Sequence, residues 1–185
     1  MARKTALFLL AFVSAAILSG IVLKAQIKTP DILFIERFST ETSLADSGRK
    51  ADRIEDIPES KLIQIQEVLQ SEIGKSKMFA EVRILKSGEK PQLADGQTAW
   101  VLGGQFLDYK KGSKAARYFI GMGAGKQKVE VMVEVRDAAN GATVRKERVV
   151  DRKVGGWFGG NDEKGLRDFA ERIVELLKKA KTGAE

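Results

Sequence analysis

The chain has 185 residues, room for one domain, and its 43% hydrophobic and 31% charged content is globular and too apolar for a disordered chain. Its formal charge is +7, but Arg3, Lys4 and Lys24 supply three of those charges within the first 25 residues, leaving a mild excess of about +4. Cysteine and histidine are both absent, which excludes a disulfide framework, a thiolate nucleophile, a Ser-His pair, a Cys/His zinc site and a histidine haem ligand.

Two basic residues precede Ala6–Leu23, eighteen residues without a charge, and Lys24 closes the run. That is the layout of a secretory segment, although such apolar regions usually span only about 7–15 residues. Eighteen largely apolar residues also reach the lower limit for a helix that crosses a bilayer. Residues 1–25 are therefore expected to be a signal peptide or an uncleaved N-terminal membrane anchor, residues 26–30 a linker, and residues 31–182 a single domain. Cleavage after Ala25 would put Leu23 where a small residue is favoured, and both outcomes stay open. Leu18-Ser19-Gly20 has the form of the front of a bacterial lipoprotein box, but the position that must be cysteine is Ile21.

Asp31–Phe38 is a short apolar run suited to a buried strand. Ser39–Asp56 is polar and reads as a long loop. Pro58 then opens a helix, with Leu62, Ile65, Leu69 and Ile73 on one face, Ile63 and Val68 broadening it, and Gly74 as its cap. Phe79–Leu85 alternates like a strand with one wet face, and Ser87–Gly96 is a loop. Thr98–Tyr109 is a longer strand in which Gly103-Gly104 signals a bulge or a close approach by another backbone.

Lys110–Lys128 follows, with four glycines and six basic residues around Tyr118-Phe119-Ile120. A phosphate loop is excluded by spacing: Ile120 and Gln127 stand where Gly and Ser or Thr are needed, and a strand follows instead of a helix. The dinucleotide pattern fails as well, since its third glycine falls on Lys126. Two readings of the apolar triplet remain. Either it begins the next strand and packs inside, or it presents a contact surface ringed by Lys110, Lys111, Lys114, Arg117, Lys126 and Lys128, suited to an acidic partner, anionic lipid headgroups or a glycan-bound carboxylate.

Val129, Val131, Val133 and Val135 then alternate with Glu130, Met132, Glu134 and Arg136, giving a strand with a valine face and a wet face. Asn140-Gly141 marks a hairpin, because both residues accept positive φ. Ala142–Val154 returns as a strand whose charges suit an edge. Trp157 and Phe158, between paired glycines, either close one end of the sheet or form an aromatic tip for binding. Asn161 or Asp162 caps the last helix, whose buried stripe is Leu166, Phe169, Ala170, Ile173, Leu177 and Ala180. Lys178, Lys179 and Lys181 complement its C-terminal end.

The expected fold is α+β: a mostly antiparallel sheet of about five strands with two helices packed on one face, in the order β-α-β-β-β-β-α. No carboxylate pair stands out as an acid–base couple, since Asp162-Glu163 suits capping and Glu130 and Glu134 suit a wet strand face. No enzymatic activity, cofactor or metal is expected.

The sequence GSKAARYFIGMGAGK, followed by VEVMVEVRDAANG and by the DEKGLRDFAERI helix, resembles the bacterial envelope lipoprotein family known as domain of unknown function 4410. The resemblance covers about Ile32–Lys179. Its members usually carry a lipidated cysteine, and this chain departs there at Ile21. The family has no established activity, so the resemblance implies a location and a fold. The order of elements is also similar to small periplasmic adaptor domains. The expectation that follows is a non-enzymatic binding or adaptor domain in the cell envelope. An envelope protein or cell-wall component would be its partner, and residues 6–23 would hold it in the inner membrane if uncleaved. Binding of an anionic ligand or nucleic acid through residues 110–128 is the alternative, with nucleic acid the less expected partner.

Overall fold

The computed structural model describes residues 30–41, 54, 57–110, 128–151 and 162–183. Among the described residues seven elements follow one another: β1 (Ile32–Ile35), α1 (Glu59–Lys75), β2 (Glu81–Ile84), β3 (Ala99–Lys110), β4 (Lys128–Asp137), β5 (Thr143–Asp151) and α2 (Asp162–Thr182). They form one five-stranded sheet in the order β2-β1-β3-β4-β5 with two helices, the expected α+β arrangement. β1 lies parallel to both β2 and β3, in four-residue ladders that pair Leu33 with Val82 and with Trp100. The longer ladders, β3 with β4 and β4 with β5, are antiparallel.

One face of the sheet carries Leu33, Ile35, Trp100, Leu102, Phe106 and the four valines of β4, all buried against both helices. The helical stripes that meet it are Leu62, Ile65, Leu69 and Ile73 from α1 and the expected six residues from α2, joined by Leu176. Three to four residues separate successive members of each stripe, and that spacing keeps them on one helical face. Ile63 falls off the stripe and is 39% exposed, while Val68 packs at its margin. On the other face a smaller cluster, Ile32, Phe34, Leu85, Ala99 and Val101, is joined by Leu93 from the β2–β3 connection.

The parallel β1–β2 pair is tied to α1 by a polar link. Gln66 is buried, and its Nε2 donates to the carbonyls of Ile35 (3.1 Å) and Leu85 (3.2 Å), where both strands end. Gln66→Leu keeps the volume and strands an acceptor at the strand end, so it should cost about 1–3 kcal/mol. The check is a lower urea midpoint at unchanged slope.

Three local expectations are corrected. First, α1 runs past Gly74 to Lys75, and the left-handed residue that ends it is Lys77 at φ 54°. A Cβ at Gly74 would meet nothing within 4 Å. Because left-handed backbone costs a non-glycine residue about 1–2 kcal/mol and mid-helix glycine about 0.5–1 kcal/mol, Gly74→Ala with Lys77→Gly should together stabilise the domain. A raised thermal midpoint in the double variant is the measurement. Second, only Gly141 (φ 73°) of the Asn140-Gly141 pair has positive φ. The loop is longer than a two-residue turn: Asp137 N–H donates to the Ala142 carbonyl, and Gly141 N–H donates back to the Asp137 carbonyl. The Asp137 carboxylate accepts from the Ala139 and Asn140 N–H groups, which holds Asn140 at negative φ. Third, the β3 bulge lies between Phe106 and Asp108, not at Gly103-Gly104. The expected close approach by another backbone is met at Gly104, where the Met132 carbonyl closes in together with the Phe38 ring, while the Glu36 carboxylate approaches Gly103.

Candidate functional site

The sheet has two ends of different character. At one end β3 finishes at Lys110, opposite the first residue of β4, Lys128, and Val129 pairs with Asp151, the last residue of β5. The segments 111–127 and 152–161 therefore join the sheet on three adjacent strands at the same end. A third segment, 42–53, continues from there as well, because Ser39 bridges Gln105 in parallel and Gln105 donates to the Glu41 carbonyl. Of the sequence-derived site residues, Lys110 closes β3. Lys111, Lys114, Arg117, Tyr118, Phe119, Lys126, Trp157 and Phe158 lie outside the described residues. What the topology brings together is the pair of attachment points for the basic glycine-rich stretch and the aromatic one.

Beneath that end sit two buried carboxylates. Asp108 (5% exposed) and Glu130 (3% exposed) are directly opposed across β3 and β4. The reading of Glu130 as part of a wet strand face is thus corrected, while Glu134 is partly exposed as expected. The bulge at Leu107 is the cause: it lets Phe106 and Tyr109 both enter the main core and places Asp108 against Glu130 on the other face. Arg148 of β5 pairs with Glu130. Directly opposed like charges repel across a ladder, and the guanidinium offsets that repulsion. Asp108 was not singled out from sequence, where its only signal was a charge in the apolar run Phe106–Tyr109.

Further along the same face, a shallow groove of about 400 Å³ runs over Gly103, Gly104, Gln105 and Met132. Its walls are already engaged with one another. Glu36 pairs with Arg136, Glu134 lies 4.0 Å from Lys146 and accepts from Thr143, and Arg37 reaches Glu59. A larger cleft of about 870 Å³ opens on the helix side between β5 and α2, where two helices do not extend over the fifth strand. Acidic and basic groups alternate along it, with Glu147, Glu171 and Glu175 among Arg172, Lys178 and Lys179. Arg172 reaches from α2 to donate to the Val150 carbonyl on the β5 edge (2.8 Å). Among the described residues, no group of three or more acidic side chains is gathered to hold a metal.

The opposite end of the domain is where the described chain begins. Asp31 donates to the Thr98 carbonyl and accepts from Ala80 and Glu81, so Pro30 lies beside the turn that joins α1 to β2. Both helices finish here, because Lys181 in the last turn of α2 donates to the Met78 carbonyl just after α1. Its ammonium stands 4.1 Å from the Phe79 ring centroid. Burial pushes the Lys181 amine below its ordinary pKa, and the charge of Asp31 partly offsets this. Lys75, Lys77, Lys178 and Lys179 share this corner, each exposed. On neighbouring β2, hydrogen bonds from Arg83 hold the exposed Glu81 carboxyl below the usual carboxylate range.

The profile of the family described as Domain of unknown function (DUF4410) matches residues 33–155. Among curated proteins none matches the sequence. Several solved structures resemble the chain at low identity and with TM-scores below 0.5. A dodecameric PelC variant from Paraburkholderia phytofirmans is 16% identical, with 82% of this chain and 86% of that one covered at a TM-score of 0.48. The hypothetical protein CT253 from Chlamydia trachomatis is 13% identical, covering 82% and 97% at 0.47. Protein XCC0632 from Xanthomonas campestris is 9% identical, covering 85% and 92% at 0.48.

Proposed function

For a chain that belongs to the family of domain of unknown function DUF4410, we propose a role as a non-enzymatic binding or adaptor domain of the bacterial cell envelope. It is exported by its N-terminal segment and works in the periplasm, either released or held at the inner membrane by residues 6–23. It meets an envelope protein or cell-wall component through the Lys110–Lys128 stretch. The observation that carries this reading is the charge-free run Ala6–Leu23 behind Arg3 and Lys4. That run lies outside the described residues, among which no helix is long and apolar enough to cross a membrane.

The geometry supports the reading in one respect. The described chain starts at one end of the sheet, and the strands flanking residues 111–127 and 152–161 finish at the other. An N-terminal tether at Pro30 therefore leaves the basic glycine-rich stretch attached to the far end, where a partner in the periplasm can reach it.

The test combines fractionation with crosslinking of intact envelopes. The protein is expected in the envelope fraction, with mass spectrometry of its N-terminus deciding between release and retention. Crosslinked species are expected to disappear when Lys111, Lys114, Arg117 and Lys126 are changed together to Ser. Recovery from the cytosol with an intact N-terminus refutes the location. A captured species that dissociates steeply as salt rises would favour a polyanionic ligand over an apolar protein contact.

A further inference from the structure

We propose that the corner formed by the C-terminal turns of α1 and α2 docks on anionic phospholipid headgroups, standing the anchored domain on the membrane by its Pro30 end. The inference deepens the envelope reading and rests on the retained form of the N-terminal segment.

The first argument is reach. Only six residues, 24–29, separate the apolar run from Pro30. Fully extended, they span at most about 20 Å at roughly 3.3–3.6 Å each. With residues 6–23 across the bilayer, the Pro30 end of the domain cannot leave the headgroup region by more than that. The surface nearest Pro30 is therefore the surface held nearest to the lipid.

The second argument is charge. Pro30 sits beside the α1–β2 turn, and that turn carries Lys77, with Lys75 one residue before its cap and Lys178, Lys179 and Lys181 arriving from α2. Glu72 and Glu175 pair with Lys75 and Lys178, and Asp31 faces Lys181, so three of the five charges are partly offset. Lys77 and Lys179 make no ion pair among the described residues, and both are exposed. Lysines near an anionic leaflet are attracted within about one screening length, roughly 8 Å at physiological ionic strength. The tether keeps them within about two to three screening lengths of the headgroups, so the corner has to orient the domain and not to recruit it.

The third argument is conformational. Lys77 holds left-handed backbone, a place where glycine or asparagine is relaxed. Strained backbone of this kind clusters at functional sites. Lys77 is exposed there. The other ends of the two helices are turned away from the bilayer in this arrangement.

The experiment uses the full chain reconstituted into two kinds of vesicle, pure phosphatidylcholine and phosphatidylcholine mixed with phosphatidylglycerol. Flotation with the neutral vesicles reads the anchor. Acetylation of lysines, followed by mass spectrometry, reads the corner. Lys77 and Lys179 are expected to react several-fold more slowly in the phosphatidylglycerol vesicles, with Lys61 and Lys146 unchanged. The protection should vanish near 1 M salt, where the screening length falls to about 3 Å. Lys75 and Lys178 should be slowed less strongly, and Lys77→Asn with Lys179→Gln, which relaxes the turn, should abolish that slowing. Failure to float with neutral vesicles overturns the anchor, and the docking with it. Flotation with equal labelling in both vesicles overturns the docking alone.

Discussion

Gly104→Ala is expected to destabilise the domain by about 2–4 kcal/mol, while Gly103→Ala, one residue earlier, should cost well under half of that. The two positions differ in what a methyl group would strike. At Gly104 it would lie 2.5 and 2.7 Å from two carbons of the Phe38 ring and 2.8 Å from the Met132 carbonyl oxygen. Neither can move cheaply. The ring is held edge-on between Phe106 and Phe169, at 6.4 and 6.1 Å between centroids, and the carbonyl belongs to β4, a strand paired on both sides. At Gly103 the nearest atom is Glu36 Oε2 at 2.9 Å, the far end of a flexible and half-exposed side chain. Urea denaturation of the two variants measures the contrast. Phe38→Leu in the Gly104→Ala background should recover part of the loss, because it removes the ring and leaves the carbonyl. Additive effects in that cycle would mean the clash is not with Phe38.

The second large effect is Trp100→Ala, expected to cost about 3–5 kcal/mol. Trp100 is 1% exposed, pairs with Leu33 of β1 and Asp137 of β4, and meets Phe79 edge-on at 6.2 Å. Phe79 in turn lies under the Lys181 ammonium. The indole thus fills the core at the end where both helices finish, and its loss leaves a cavity that strands on either side prevent from collapsing. Trp100→Phe keeps an aromatic against Phe79 and should cost much less. Thermal unfolding of both variants is the check, with faster chemical labelling of Lys181 in Trp100→Ala as a local readout. An equal loss in the two variants would show that the Phe79 contact contributes little.

Much of this fold is legible in the sequence because it rests on local spacing. The helices follow from Leu62, Ile65, Leu69 and Ile73, and from Leu166, Phe169, Ala170, Ile173, Leu177 and Ala180, which are all buried. The β4 valines alternate, and β5 carries charge and takes the edge. What could not be read depends on partners distant in the chain. Gly104 is a glycine because of Phe38, more than sixty residues earlier. Glu130 is buried because β3 gains a residue at Leu107, and nothing in the spacing of β4 itself records that event. Nor does either helix reveal that its final turn meets the other, so the five lysines of that corner are scattered in sequence and gathered only by the fold. For the proposed contact stretch, the fold supplies its attachment points on β3 and β4 and its distance from Pro30.

The β5 edge bears on how the protein behaves when concentrated. Two copies joining edge to edge across a two-fold axis would set one central residue of β5 against itself. If that residue is Lys146, Glu147 or Arg148, identical charges face each other, and with Glu147 at the centre Lys146 also opposes Arg148. Arg172 already occupies the Val150 carbonyl that an incoming strand would need. At the other edge, β2 is four residues long, and Gln70 donates to its Val82 carbonyl. Both margins of the sheet are thus poor templates for self-pairing. The domain should stay dispersed at concentrations where a bare edge would seed aggregates, and light scattering of Arg172→Ala against the unmodified protein would show how much of that protection one side chain supplies.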